Sequence, residues 1–144
     1  MAKRILVPLD RSDGAQWMLP LVGDLARSSG ATVRLLHVAP IPEGRVGNHG
    51  RVIAYESQEM ERLESMGLEN LRRAAEAQLE GVPVESVVRF GDPVEEIVCE
   101  AEAFGADLIT LATARRSWLR RVLGSVADKV FRKAGVPVIL LGTQ

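Results

Sequence analysis

Ile5-Leu6-Val7-Pro8-Leu9-Asp10-Arg11-Ser12-Asp13-Gly14 is the stretch on which the fold turns. Its first half is short, apolar and free of polar/apolar alternation, the pattern of a strand buried on both faces. Its second half is polar, and Ser12 or Asp13 can cap a helix. Met18, Leu19, Val22 and Ala26 then recur at helical spacing up to Gly30. Pro20 falls inside that helix and is expected to bend it, because proline removes one bond and clashes with the preceding turn.

The same alternation repeats outward. A second buried strand is expected over 32–38, followed by an irregular stretch over 40–50 with two prolines and three glycines. A long helix over 55–79 places Met60, Leu63, Gly67, Leu71 and Ala74 on one side. Glutamates and arginines cover the rest as a solvated face with i,i+4 pairs. Gly81 and Pro83 end it, and a third strand covers 84–90. Gly91-Asp92-Pro93 starts the next helix, with Asp92 as cap and Pro93 in the first turn. Val94, Ile97, Val98, Ala101 and Phe104 form its buried stripe. A fourth strand is expected over 107–111 and a basic loop over 113–123. A last helix begins at Ser125 with Ala127, Val130, Phe131 and Ala134 inward, and a fifth strand covers 136–141. The order β-α-β-α-β-α-β-α-β implies one α/β domain, residues 1–144, with a five-stranded parallel, doubly wound, Rossmann-like sheet and helices on both faces.

Composition narrows the function classes. The chain has 144 residues, 47% apolar and 26% charged, which suits a single globular domain. A net charge of -1 gives no reason to expect nucleic acid or an anionic membrane as a partner. No apolar run approaches the roughly 18 residues that a membrane span needs. The N-terminus has no signal-peptide pattern, so a cytoplasmic location is expected. The lone cysteine, Cys99, excludes an internal disulfide and is expected to be a small core residue. His49 has no second histidine nearby, and no metal site is expected.

In open α/β sheets, ligands bind beyond the carboxyl ends of the strands, where strand order reverses. Residues 8–13, 37–38 and 112–125 compete for that place. His37 reads as a strand residue rather than a catalytic base.

Several segments together resemble the universal stress protein family. They are the run from Ile5 to Ser12, Leu35-Leu36-His37-Val38, Gly91-Asp92-Pro93, Ala106-Asp107-Leu108-Ile109, Gly124-Ser125-Val126 and Val136-Pro137-Val138. The resemblance implies the adenine nucleotide alpha hydrolase-like version of the Rossmann-like sheet. It also implies nucleotide contacts at Pro8, Asp10 and Val38, and a phosphate loop of the form G-x2-G-x9-G-[ST]. Here the closing pair, Gly124-Ser125, is intact and precedes Val126. The two earlier glycines fall on Ala114 and Leu111. Glycine lets backbone amides approach an anion closely, so their loss predicts impaired ATP binding. Leu111 either fills space that the ligand needs or points into the core of a longer strand.

Arg115, Arg116, Arg120 and Arg121 crowd the same loop. The loop reads as a solvated basic segment with Trp118 and Leu119 packed down, as an anion site in which arginines replace glycine amides, or as a partner surface anchored by Trp118. The resemblance further implies a homodimer paired edge to edge through Val138, Ile139, Leu140 and Leu141. No P-loop, nucleophile elbow or evident His/carboxylate pair is present, so no catalytic residue is assigned. The expected function is a non-enzymatic stress-response regulator. The alternative is a member that binds ATP, AMP or another anion, with at most slow ATP hydrolysis. A receiver-type phospho-switch ranks last, because Asp10 stands alone before Arg11, the third strand ends in Phe90-Gly91 and the fifth in Leu141-Gly142.

Overall fold

A computed structural model describes residues 2–9, 17–42, 49–114, 126 and 128–143, with the backbone alone at 49–56, 113–114 and 142–143. The elements are β1 (Arg4–Pro8), α1 (Leu19–Ser29), β2 (Thr32–Ala39), α2 (His49–Gln78), β3 (Val84–Phe90), α3 (Pro93–Phe104), β4 (Leu108–Ala114), α4 (Asp128–Ala134) and β5 (Val138–Thr143). The strands form one parallel sheet in the order β3-β2-β1-β4-β5. The order reverses between β1 and β4, which makes that junction the switch point.

Alternating residues of the central strand feed two cores. Ile5, Val7 and Leu9 face Met18, Leu19, Val22 and Ala26, together with Leu71 and Ala74 of α2. Leu6 faces the other way, with Leu36, Ile109 and Leu111, toward Val94, Ile97, Ala101 and Phe104 of α3 and Val130 of α4. Each fully buried aliphatic side chain contributes about 1.5–3 kcal/mol relative to exposure. The absence of alternation in Ile5-Leu6-Val7 therefore records two cores rather than one.

Local signals set most element ends. Asp92 caps α3 by accepting from the Glu95 amide at 3.0 Å, and Gly105 ends it in the left-handed conformation. α2 lies close on the sheet because Gly67 has no side chain. A Cβ there would stand 2.9 Å from Val88 Cγ2 and 3.3 Å from His37 Cδ2.

Several expectations are corrected. α1 starts at Leu19, so Pro20 sits in its first turn, where a missing N–H costs nothing and no bend follows. α2 starts at His49, and β4 and β5 both run past the ends expected of them. Cys99 is exposed, whereas Glu100 is buried and Val98 only half-buried. Cys99 lies far round the helix from Ile97 and Ala101, while Glu100 lies between Ile97 and Phe104 on the inner face. Phe131 is 59% exposed because Val130, with Ala134 partly buried beside it, fills the inward side of the short α4.

Glu100 is tolerated inside because two arginines share it. Arg34 of β2 donates to Glu100 Oε2 at 2.5 Å and Arg89 of β3 to Oε1 at 2.7 Å. Arg34 also donates to Glu85, and Arg89 to Glu96. The Arg34 guanidinium lies 4.2 Å from the Phe104 ring centroid. Burial works against the Arg34 charge, but its bonds to Glu100 and Glu85 outweigh that, and its pKa is raised. The Glu100 bond is the main cause of a raised pKa at Arg89. This network joins α3 to the β2–β3 edge of the sheet.

Candidate functional site

The junction of β1 and β4 opens because of Pro8. The Leu9 amide donates to the Leu36 carbonyl at 2.8 Å, so Leu9 faces β2. Successive residues of a parallel strand turn their amides to opposite neighbours, and Pro8 therefore faces β4. Proline has no N–H to give. The registered pairing of β1 with β4 accordingly stops at Leu6↔Ile109. Beyond that rung β4 continues beside β5 without a registered partner on β1, and in open α/β sheets such a switch point is where a ligand crevice forms. Pro8 is half-buried at this place.

β4 does not end at Leu111. Its ladder with β5 continues through Leu111↔Leu140, Ala112↔Leu141 and Thr113↔Gly142 to Ala114↔Thr143. Leu111 is 6% exposed and belongs to the core under α3 and α4. Of the two places considered for that side chain, the core of a longer strand is the one it takes. Ala114 is extended strand, and among the described residues no residue other than glycine has a positive φ. Alanine at 114 therefore carries no backbone strain.

The other candidate residues divide into two groups. Val38 is half-buried, pairs with Arg89, and lies two residues past Leu36, the partner of Pro8, so it stands level with the crevice mouth one strand away. Val126 is half-buried against the same core as Val38 and Leu111. Asp10, Arg115, Gly124 and Ser125 lie outside the described residues. Val138, Ile139, Leu140 and Leu141 stand on β5, an edge strand of the sheet, with Ile139 38% exposed and the other three half-buried.

Sequence reading placed His37 at this site without its partner, and it missed Thr110. Thr110 is 1% exposed, one residue past the last β1–β4 rung, and its hydroxyl has no partner among the described residues. His37 Nδ1 lies 3.3 Å from the Leu9 carbonyl oxygen. A proline inside a strand buried on both faces was the available signal, since a central strand has a ladder bond to lose there. No signal in the sequence pairs His37 with Leu9, because β1 and β2 meet only in the fold.

Among the described residues, no group of three or more His, Cys, Asp or Glu side chains could hold a metal ion. Nor is any helix among them long and apolar enough to cross a membrane.

A family profile described as the universal stress protein family matches residues 1–142. Universal stress protein MJ0577 of Methanocaldococcus jannaschii is 30% identical over 156 residues, covering 98% of this chain and 95% of the relative. A solved structure of MJ0577 superposes with a TM-score of 0.76 at 27% identity, covering 99% of this chain and 96% of that one. Universal stress protein MJ0531 of the same organism is 32% identical over 147 residues, covering 96% of this chain and 81% of the relative. A universal stress protein of Archaeoglobus fulgidus, solved in complex with dAMP, is 26% identical with a TM-score of 0.57, and the match covers 96% of each chain.

Proposed function

The chain belongs to the universal stress protein family, and from that premise we propose that it is a non-enzymatic stress-response regulator, a cytoplasmic homodimer with an impaired hold on ATP. The observation that carries this reading is the β4–β5 ladder, which continues to Ala114↔Thr143. Backbone in a ladder has its amides committed to a neighbouring strand or turned along the sheet, and cannot wrap a chain of phosphates. Glycines at 111 and 114 would loosen that segment; with leucine and alanine there, pairing with β5 holds it in the strand. The anion cradle is thereby reduced to what residues 115–125 supply, including Gly124-Ser125 and Arg115.

A second reading has its own support. The crevice opened by Pro8 is a place for a ligand whatever becomes of the phosphate loop, and the Archaeoglobus fulgidus relative holds dAMP. On this reading the chain binds a nucleotide with a short phosphate group, or another anion, with at most slow ATP hydrolysis.

Thermal unfolding with and without millimolar Mg-ATP, and separately with AMP, decides between them. A ligand at 100 times its dissociation constant stabilises by about 2.7 kcal/mol. No shift with either supports the first reading. A shift with AMP alone supports the second. A rise of several degrees with Mg-ATP overturns the impairment. Dimerisation through Val138, Ile139, Leu140 and Leu141 follows from the liability of an uncovered apolar edge strand. Light scattering on the eluting protein tests it: a dimer that Ile139→Lys converts to monomer is expected, and a clean wild-type monomer at micromolar concentration refutes it.

A further inference from the structure

We infer that His37 is a positioning residue for the crevice: its ring holds the Leu9 carbonyl and so fixes the direction in which the chain leaves β1. The inference deepens the reading of the β1–β4 crevice as the ligand site and rests on it. Leu9 is held at both ends of its backbone. Its N–H is taken by the Leu36 carbonyl at 2.8 Å, and its own carbonyl oxygen lies 3.3 Å from His37 Nδ1. A carbonyl can only accept, so the ring must carry hydrogen on Nδ1. In the neutral form this selects the Nδ1–H tautomer and leaves Nε2 as the acceptor. The Leu9 carbonyl shares a rigid peptide plane with the next backbone nitrogen. Holding that oxygen therefore sets the plane on which the chain departs, immediately after Pro8.

The ring is itself held. His37 lies on the α2 side of the sheet beside Val88, its partner on β3. Above it is Gly67, where any Cβ would press on Val88 Cγ2 and His37 Cδ2. The glycine gives the imidazole room between sheet and helix, and the helix backbone closes over it. Among the described residues, the hydrogen bond of the His37 ring is the one to the Leu9 carbonyl, and it points along the sheet toward β1. A residue that served only to fill the core would not need a donor there.

Three measurements test this. Nitrogen NMR of the imidazole in the wild-type protein is expected to show the neutral ring protonated at Nδ1; hydrogen on Nε2 would overturn the inference. Amide exchange at Leu9 and Asp10 is expected to quicken about three- to tenfold in His37→Leu, the loss of one hydrogen bond. It should stay near wild type in His37→Asn, whose side-chain amide can donate from a similar place. The β2–β3 amides should stay unchanged in both. Equal exchange in all three proteins, or uniform quickening across the sheet, would overturn the inference. AMP affinity, where the wild type binds AMP, should fall in His37→Leu and recover in His37→Asn. A wild type that binds no AMP refutes the crevice reading, while the tautomer and the exchange pattern still decide the role of His37. If His37→Leu does not fold, the wild-type tautomer and His37→Asn remain decisive.

Discussion

Ala114 of β4 and Thr143 of β5 stand opposite one another on the last rung of their ladder, beyond the point where the fourth strand was expected to end. This pairing changes what the two missing glycines mean. Leu111 is not an obstruction in the ligand's space; it is a core residue of the strand that replaced the start of the loop.

Restoring both glycines at once would therefore be costly. Truncating a buried leucine costs about 2–5 kcal/mol, and glycine in a strand adds about 0.5–1 kcal/mol. In urea unfolding, Leu111→Gly is expected to lower the midpoint severely, whereas Ala114→Gly alone should lower the unfolding free energy by less than about 1 kcal/mol. If Leu111→Gly unfolds at the wild-type midpoint, the side chain is not in the core.

Glu100 supplies a second expectation. It is 3% exposed and shared by Arg34 and Arg89. Removing one partner of a buried ion pair costs about 3–5 kcal/mol. Because both arginines keep other carboxylates, Glu85 and Glu96, the lower end of that range is expected for Glu100→Ala in denaturant unfolding. Glu100→Gln should recover part of the loss by accepting from one guanidinium. A change within 0.5 kcal/mol, the size of an ordinary surface substitution, would show the network to be dispensable.

Thr110 bears on the crevice directly. A buried hydroxyl without a partner destabilises, and replacing it by a methyl of the same shape is neutral or stabilising. Thr110→Val is expected to raise the unfolding temperature or leave it unchanged. If the variant is stable but loses AMP affinity, the hydroxyl belongs to the ligand's surroundings.

The outer face of α2 gives a pH dependence. The side-chain hydrogen bond from Arg72 holds Glu69 below its ordinary value of 4.5, and that from Arg62 does the same for Glu59. A carboxylate whose pKa is lower folded than unfolded lends stability above the unfolded value and loses it as pH falls through the folded one. Stability is expected to be level above pH 4.5 from these groups and to decline below it. Both carboxylates lie at the surface, partly covered by their neighbours, so the effect is small and screened by salt. Glu69→Gln should flatten the acid limb of an unfolding-versus-pH curve; an unchanged limb would show that the pair contributes nothing.

Much of the fold was legible because its signals are local. Asp92-Pro93 and Gly105 bound α3 in the sequence and in the structure alike, and β3 lies where its apolar run does. The misreadings have separate causes. Pro20 read as mid-helix because α1 was started too early, and Phe131 read as inward from its spacing, whereas Val130 takes the buried place beside it. The end of β4 was illegible because Ala112-Thr113-Ala114 has no strong preference of its own; pairing with β5 decides it. Arg34, Arg89 and Glu100 carry no sequence signal of their pairing because they lie on three different elements. At the candidate site, Pro8 and Val38 were named by resemblance, while the effect of Pro8 on the sheet came only with the register of β1 against its two neighbours.

The short β1–β4 ladder also has a meaning for how the chain assembles. Two registered pairs join those strands, against five between β1 and β2, seven between β2 and β3, and six between β4 and β5. The chain closes from Ile5 to Leu108 to make them, a far longer loop than any other pairing in the sheet requires. The longest chain closure in the sheet thus rests on its shortest ladder, and the shared core of Leu6, Leu36, Ile109 and Leu111 supplies the grip between β1-β2-β3 and β4-β5 that hydrogen bonds do not.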